Sequence, residues 1–147
     1  MPLIDVELSI PSRPLPPDVQ RLVDEAELRA ERLAEATSGQ GLGYVPCNFA
    51  TVAAALSAIA ESRLATGRLF CEWGSGLGAV TGAAALLGFD ATGVEISTPL
   101  VDASRELMAD LEIDVEFWQG SFIPPQWEER VAEVQAGHDD NFYWLST

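Results

Sequence analysis

Residues 69–82 read LFCEWGSGLGAVTG. A short apolar run from Arg68 to Trp73 carries one acid, Glu72, and ends in three alternate glycines, Gly74, Gly76 and Gly78. The run reads as a buried strand. The glycines turn the chain into a helix, AVTGAAALLG, closed by Gly88 at a C′ position. Glycines accept positive φ and let a ligand approach the backbone with no Cβ in the way. The helix that opens after them presents free N–H groups and the positive end of its dipole.

The pattern continues outward from this turn. DATGVEI (90–96) is a second strand, Ser97 or Thr98 caps a helix with Pro99 in its first turn, and VEFWQ (115–119) is a third strand. IPP breaks the chain at 123–125; QWEERVAEVQAG then reads as a helix, and FYWLS near the end as the start of a further strand. Upstream, Ile4, Val6, Leu8 and Ile10 alternate with polar residues as in a strand, and PSRPLPP forms a stiff connector. Asp18 caps a helix over 18–37 whose Leu22, Ala26 and Leu33 make a thin apolar stripe, the pattern of a surface helix at the domain edge. SGQGLGYVP is a glycine-rich loop, and Asn48 is the N-cap of a helix with Phe49, Val52, Leu56 and Ile59 on one face.

Strands alternating with helices imply a parallel sheet with right-handed crossovers. The expected fold is α/β: a Rossmann-like parallel sheet with flanking helices, three to four strands plus N-terminal helices. Residues 1–43 form an N-terminal strand and helical extension, and residues 44–147 the sheet domain.

The 147 residues are 48% apolar and 21% charged, a globular composition long enough for one core. The net charge is −15, and all eight cations are Arg. Such a surface repels phosphate backbones and anionic membranes, so neither nucleic acid nor a membrane is an expected partner. Cys47 and Cys71 form no CxxC pair and suggest neither a disulfide framework nor a metal site; Cys71 reads as a small buried hydrophobe. MPLIDVELS lacks the features of a signal peptide, and the expected location is the cytoplasm.

In an open parallel sheet, ligands sit at the carboxyl ends of the strands. Glu95 closes the second strand, 19 residues after Gly76, where a carboxylate accepts hydrogen bonds from both hydroxyls of a ribose. Two nucleoside cofactors fit. Gly74-x-Gly76-x-x-Ala79 with Glu95 beyond satisfies a loose dinucleotide fingerprint, which would make the chain an NAD(P) or flavin binder. S-adenosyl-L-methionine fits better on three counts. Glu72 would oppose a pyrophosphate but suits an amino group. A further glycine stands at Gly78, and two helices precede the first strand.

Here the sequence resembles the class I (Rossmann-like) S-adenosylmethionine-dependent methyltransferases. CEWGSGLG is similar to their motif I, GVEIS to the acidic end of their second strand, and EFWQGSF to the segment after the third. The pair GSGLG…GVE, with Tyr44-Val45-Pro46 one helix ahead, also resembles the non-SET histone lysine methyltransferases. The resemblance covers roughly residues 44–122. It implies that Gly74, Ser75, Gly76 and Gly78 pack against the methionine and ribose, that Glu72 contacts the amino-acid end, and that Glu95 binds the ribose hydroxyls. It further implies that Ile96 packs on the adenine, that Gln119, Gly120 and Ser121 lie at the adenine edge, and that Tyr44 and Asn48 approach the methionine end. The 44–147 region would then be a partial S-adenosylmethionine-binding domain.

Other residues read as ordinary structure. Trp73, Trp118, Trp127 and Trp144 suit packing, with Trp118 near enough to the third strand's end to line a pocket, and His138 suits a surface loop. IPPQW follows the third strand, and Ile123 lacks the hydrogen bonds of the Asn-Pro-Pro-Tyr motif it superficially resembles. The family's sheet has seven strands, so the sequence reads as a truncated, shortened or half-assembled domain with an open edge and one poorly covered face. The expected activity is methyl transfer to an unidentified acceptor, a protein or a small molecule, with no catalytic side chain evident. A non-catalytic association module is the alternative, and self-association into a homo-oligomer is expected from the open sheet edge.

Overall fold

A computed structural model describes residues 7–10, 12–36, 44–62, 64–125 and 127. Among them the order is α1 (Pro17–Ala36), α2 (Phe49–Ser62), β1 (Leu69–Trp73), α3 (Ala79–Leu86), β2 (Asp90–Glu95), α4 (Thr98–Asp110) and β3 (Glu116–Gln119). The strands form one parallel sheet in the order β1-β2-β3, with Glu72 level with Gly93 and Glu95 level with Gln119. This is the α/β, Rossmann-like arrangement expected from the alternation of patterns.

Two right-handed crossovers made in the same direction across a sheet put both helices on one face. α3 and α4 therefore lie together, and α1 and α2 pack on α3. The strand residues that face them are Phe70, Glu72, Ala91, Gly93, Glu95 and Phe117, as the alternation and register require. The core joins Leu22, Val23 and Ala26 of α1 to Leu77, Ala83, Val101, Leu107 and Phe117.

One contact sets the sheet–helix spacing. The Phe117 ring lies where Gly78 and Gly93 have no Cβ, and the Cβ of Ser104 also faces Gly78. A methyl group on Gly78 would strike that ring, and Gly78 also holds φ at +75°. The glycine before α3 is thus required twice, by backbone angle and by space.

Several sequence expectations need correction. α1 is not a peripheral helix: Val19, Leu22, Val23, Ala26 and Ala30 are buried. Its stripe is wider than Leu22, Ala26 and Leu33 suggested, because Val19, Val23 and Ala30 join it. Asp18 lies inside its first turn rather than at the cap; α1 opens on Pro17, and the Gln20 N–H bonds back to the Pro16 carbonyl. Of the strand expected over Ile4, Val6, Leu8 and Ile10, residues 7–10 are not in a strand, and Ile4 and Val6 lie outside the described residues. β1 is buried on one face only, with Leu69 86% and Trp73 67% exposed and Cys71 exposed between them. Trp118, level with Val94 and Trp73, shares that open face and lines no cleft at the site. Phe122 stacks on Trp73, centroids 5.5 Å apart and planes within 8°. The reason is the crossover geometry: α1 to α4 gather on the other face. The helix expected over 126–137, apart from Trp127, and FYWLS, His138 and Trp144 fall outside the described residues.

Gly78→Ala is expected to destabilise the chain by about 2–4 kcal/mol in urea unfolding, from the left-handed φ and the overlap with Phe117. In a Cys47→Ala background, Cys71 is expected to react fully with Ellman's reagent before any unfolding, as its exposure requires.

Candidate functional site

The strand ends and the turn after β1 enclose a cleft of about 450 Å³. Gly74, Ser75 and Gly76 of the turn line it together with Glu72 and Glu95, and Tyr44, Cys47 and Phe49 line it from the segment entering α2. Ile96, Ser97 and Leu100 complete it from the start of α4.

The turn is held by hydrogen bonds to the sheet. The N–H groups of Gly74 and Ser75 donate to the Val94 carbonyl at 2.8 and 3.1 Å, and the Gly78 N–H to Ser75 at 2.7 Å. Gly74, Gly76 and Gly78 all have positive φ. A Cβ on Gly76 would come within 2.7 Å of the Tyr44 ring, so Tyr44 packs directly on the glycine backbone.

Glu95 is 7% exposed. Its Oε2 accepts the Gly76 N–H at 2.9 Å, and its Oε1 accepts the Ser97 N–H at 2.8 Å. One carboxylate thus ties the glycine turn to the start of α4. A carboxylate has about four acceptor sites, so each oxygen keeps one free.

Glu72 is built differently. Its Oε2 accepts both the Thr81 N–H at 2.9 Å and the Thr81 hydroxyl at 2.5 Å. Among the described residues no donor reaches Oε1. Burial pushes the Glu72 carboxyl up to about 7; the two bonds from Thr81 oppose this, and the charge of Glu95 adds to it. Burial also raises the Tyr44 phenol to about 12 and raises the Cys47 thiol, each aided by the charge of Glu72. The Tyr44 hydroxyl and the Ser75 hydroxyl are buried with no hydrogen-bond partner among the described residues. A cleft with two carboxylates and two unpaired hydroxyls is suited to a ligand carrying both donors and acceptors.

Of the residues singled out from the sequence, Glu72, Gly74, Ser75, Gly76, Glu95, Ile96 and Tyr44 line this one cleft. The others stand around it. Asn48 caps α2, its Oδ1 accepting the Thr51 N–H at 2.9 Å, as its N-cap reading required. Gly78 lies behind the turn against Phe117. Gln119 donates to the Ile96 carbonyl at 3.0 Å, the Gly120 N–H to the Glu95 carbonyl at 2.9 Å, and Ser121 bonds within its own loop to Ile123. Sequence reasoning missed Thr81 and Cys47. Thr81 had a signal, a hydroxyl residue in the first turn of the helix that follows the glycines. Cys47 had none, since only the fold brings it beside Glu72.

Among solved structures, the fold is similar to the Pyrococcus abyssi tRNA (uracil-54, C5)-methyltransferase in complex with S-adenosyl-L-homocysteine. The identity is 20% and the TM-score 0.43, over 53% of this chain and 19% of that one. It is also similar to a Pyrococcus horikoshii protein proposed to be an RNA methyltransferase, at 21% identity and TM-score 0.42, over 64% of this chain and 52% of that one. The chain thus spans about a fifth of the first protein and about half of the second. No protein-family model and no curated protein matches the sequence.

The raised Glu72 carboxyl links stability to pH. Its proton is held more tightly in the folded chain, at about 7, than at the ordinary 4.5 of the unfolded chain. The stability it contributes is full below the ordinary value and is lost as pH rises through about 7. Glu72→Gln removes that loss. The variant is expected to be more stable than the parent by about 2 kcal/mol at pH 8.5, with the gap closing near pH 4.5, measured by urea unfolding at both pH values.

Proposed function

We propose that the cleft binds S-adenosyl-L-methionine and that the chain is the cofactor-binding half of a class I methyltransferase. The observation that carries this reading is the pair Glu72 and Glu95 near the ends of adjacent parallel strands, lining a single cleft with the glycine turn. Glu95 keeps a free acceptor site on each oxygen for the two ribose hydroxyls, while Gly76 and Ser97 hold it still. Glu72 offers Oε1 to the ammonium of the amino-acid end. The buried hydroxyls of Tyr44 and Ser75 supply donors for its carboxylate, which fits the group's chemistry to atoms that lack partners.

Ile96, 67% exposed at the cleft edge, gives the adenine an apolar surface. Gln119 ends β3, Gly120 and Ser121 follow it, and all three are assigned to the adenine edge. Asn48 keeps only its amide NH₂ for a ligand, its oxygen being used as a cap. Gly74 and Gly76 let the ligand approach the turn, and Gly78 secures the turn from behind.

When bound, S-adenosylmethionine supplies an electrophilic methyl group on a sulfonium. The chain's part is to orient that group and exclude water, and no nucleophilic side chain is required. A dinucleotide is the weaker reading, because Glu72 would meet a pyrophosphate with its own negative charge. The acceptor is assigned to a protein or a small molecule; a net charge of −15 disfavours a polyanion.

Calorimetric titration with S-adenosylhomocysteine and with NAD tests the reading. Micromolar binding of the first alone is expected. Glu95→Ala should weaken it about 100-fold, the loss of two hydrogen bonds to a charged group, and Glu95→Gln less. Binding of NAD alone, or an unchanged affinity in Glu95→Ala, would overturn it.

A further inference from the structure

We infer that Thr81 is a positioning residue that aims the Glu72 carboxylate into the cleft and sets the pH range in which the site accepts an amino-acid ammonium. The inference rests on the cofactor reading above and deepens it. Thr81 is fully buried in the first turn of α3. Its N–H and its hydroxyl converge on one carboxylate oxygen, Oε2. Two donors on one oxygen hold Oε2 against α3 and leave Oε1 without a donor among the described residues. No other described residue donates to Glu72. A core of this kind has no need of a hydroxyl at that point unless the carboxylate is to be held, since an aliphatic side chain of the same shape would fill the space.

The charged and titratable groups facing Glu72 come from two other elements. Tyr44 and Cys47 precede α2, and Glu95 ends β2. Burial shifts both the phenol and the thiol upward, away from the Glu72 carboxyl. Glu95 adds a negative charge that disfavours ionisation of Glu72. The Thr81 hydroxyl acts against both this charge and burial, by donating to the ionised form. Removing it should raise the Glu72 midpoint by about one pH unit, the worth of one hydrogen bond to a charged group.

The test uses the parent chain with Thr81→Val and Thr81→Ser. The Glu72 carboxyl is titrated by carbon NMR without ligand, and S-adenosylhomocysteine binding is measured by calorimetry from pH 6 to 8.5. In the parent, affinity should fall as pH drops through the Glu72 midpoint. In Thr81→Val both the midpoint and the affinity profile should move up by about one unit, so that binding is about fivefold weaker at pH 7 but within about twofold at pH 8.5. Thr81→Ser should follow the parent. Titration of the ligand's own amino group is common to all three proteins and cancels in the comparison. Should Thr81→Val not fold, Thr81→Ala gives the same comparison.

A uniform loss of affinity at every pH, or coincident profiles in parent and Thr81→Val, would overturn the inference while leaving the cofactor reading intact. Failure of the parent to bind at any pH would overturn the cofactor reading and the ligand part of the inference with it. The ligand-free NMR midpoints separate the two cases, since they read the hold of Thr81 on Glu72 directly.

Discussion

The structure depends on an aromatic ring seated where two side chains are absent. Phe117 fills the space left by Gly78 and Gly93, so a single ring joins β3, β2 and the turn after β1, while α4 packs against β3. Any larger residue at either glycine would lift the sheet from its helices. The same contact fixes the height of the glycine turn above the strand ends. From that height follow the positions of the Gly76 N–H and of Thr81, and with them the orientations of both carboxylates.

The two acids have similar surroundings but different restraint. Glu95 is the more buried, yet it is pinned by one backbone N–H on each oxygen and so joins two structural elements. Glu72 is held on one oxygen by a single residue and sits near Glu95, and its carboxyl is raised to about 7. Two like charges in a partly dry cleft cost the empty protein stability, and a bound cation offsets that cost. A site that is electrostatically uncomfortable without a ligand is the expected counterpart of one that binds a positive group.

The open face of the sheet follows from chain handedness. Both crossovers run in one direction, so the helices gather on one side, and Leu69, Cys71, Trp73 and Trp118 face outward. Read along the chain, LFCEW is an apolar run and looks buried on both faces. Only half of it is, because whether a strand's second face is covered depends on elements far away in sequence. The same reasoning applies to α1. Its three-residue stripe looked peripheral, but Val19, Val23 and Ala30 also pack inward once α3 lies alongside.

What the sequence by itself determined is local or periodic in nature. The strand–turn–helix order, the positive-φ glycines, the Asn48 cap and the acid at the end of β2 could all be read from short stretches, because each depends on neighbouring residues or on a fixed spacing. Seven of the candidate site residues meet in one cleft for the same reason, since parallel strands bring their ends together. Only the tertiary structure decided which face of β1 is covered, that Trp118 turns away from the site, that Cys47 stands beside Glu72, and that Thr81 holds Glu72 by a single oxygen. Those facts depend on distances between separate segments, and such distances are set by packing around Phe117, which no short stretch of sequence encodes.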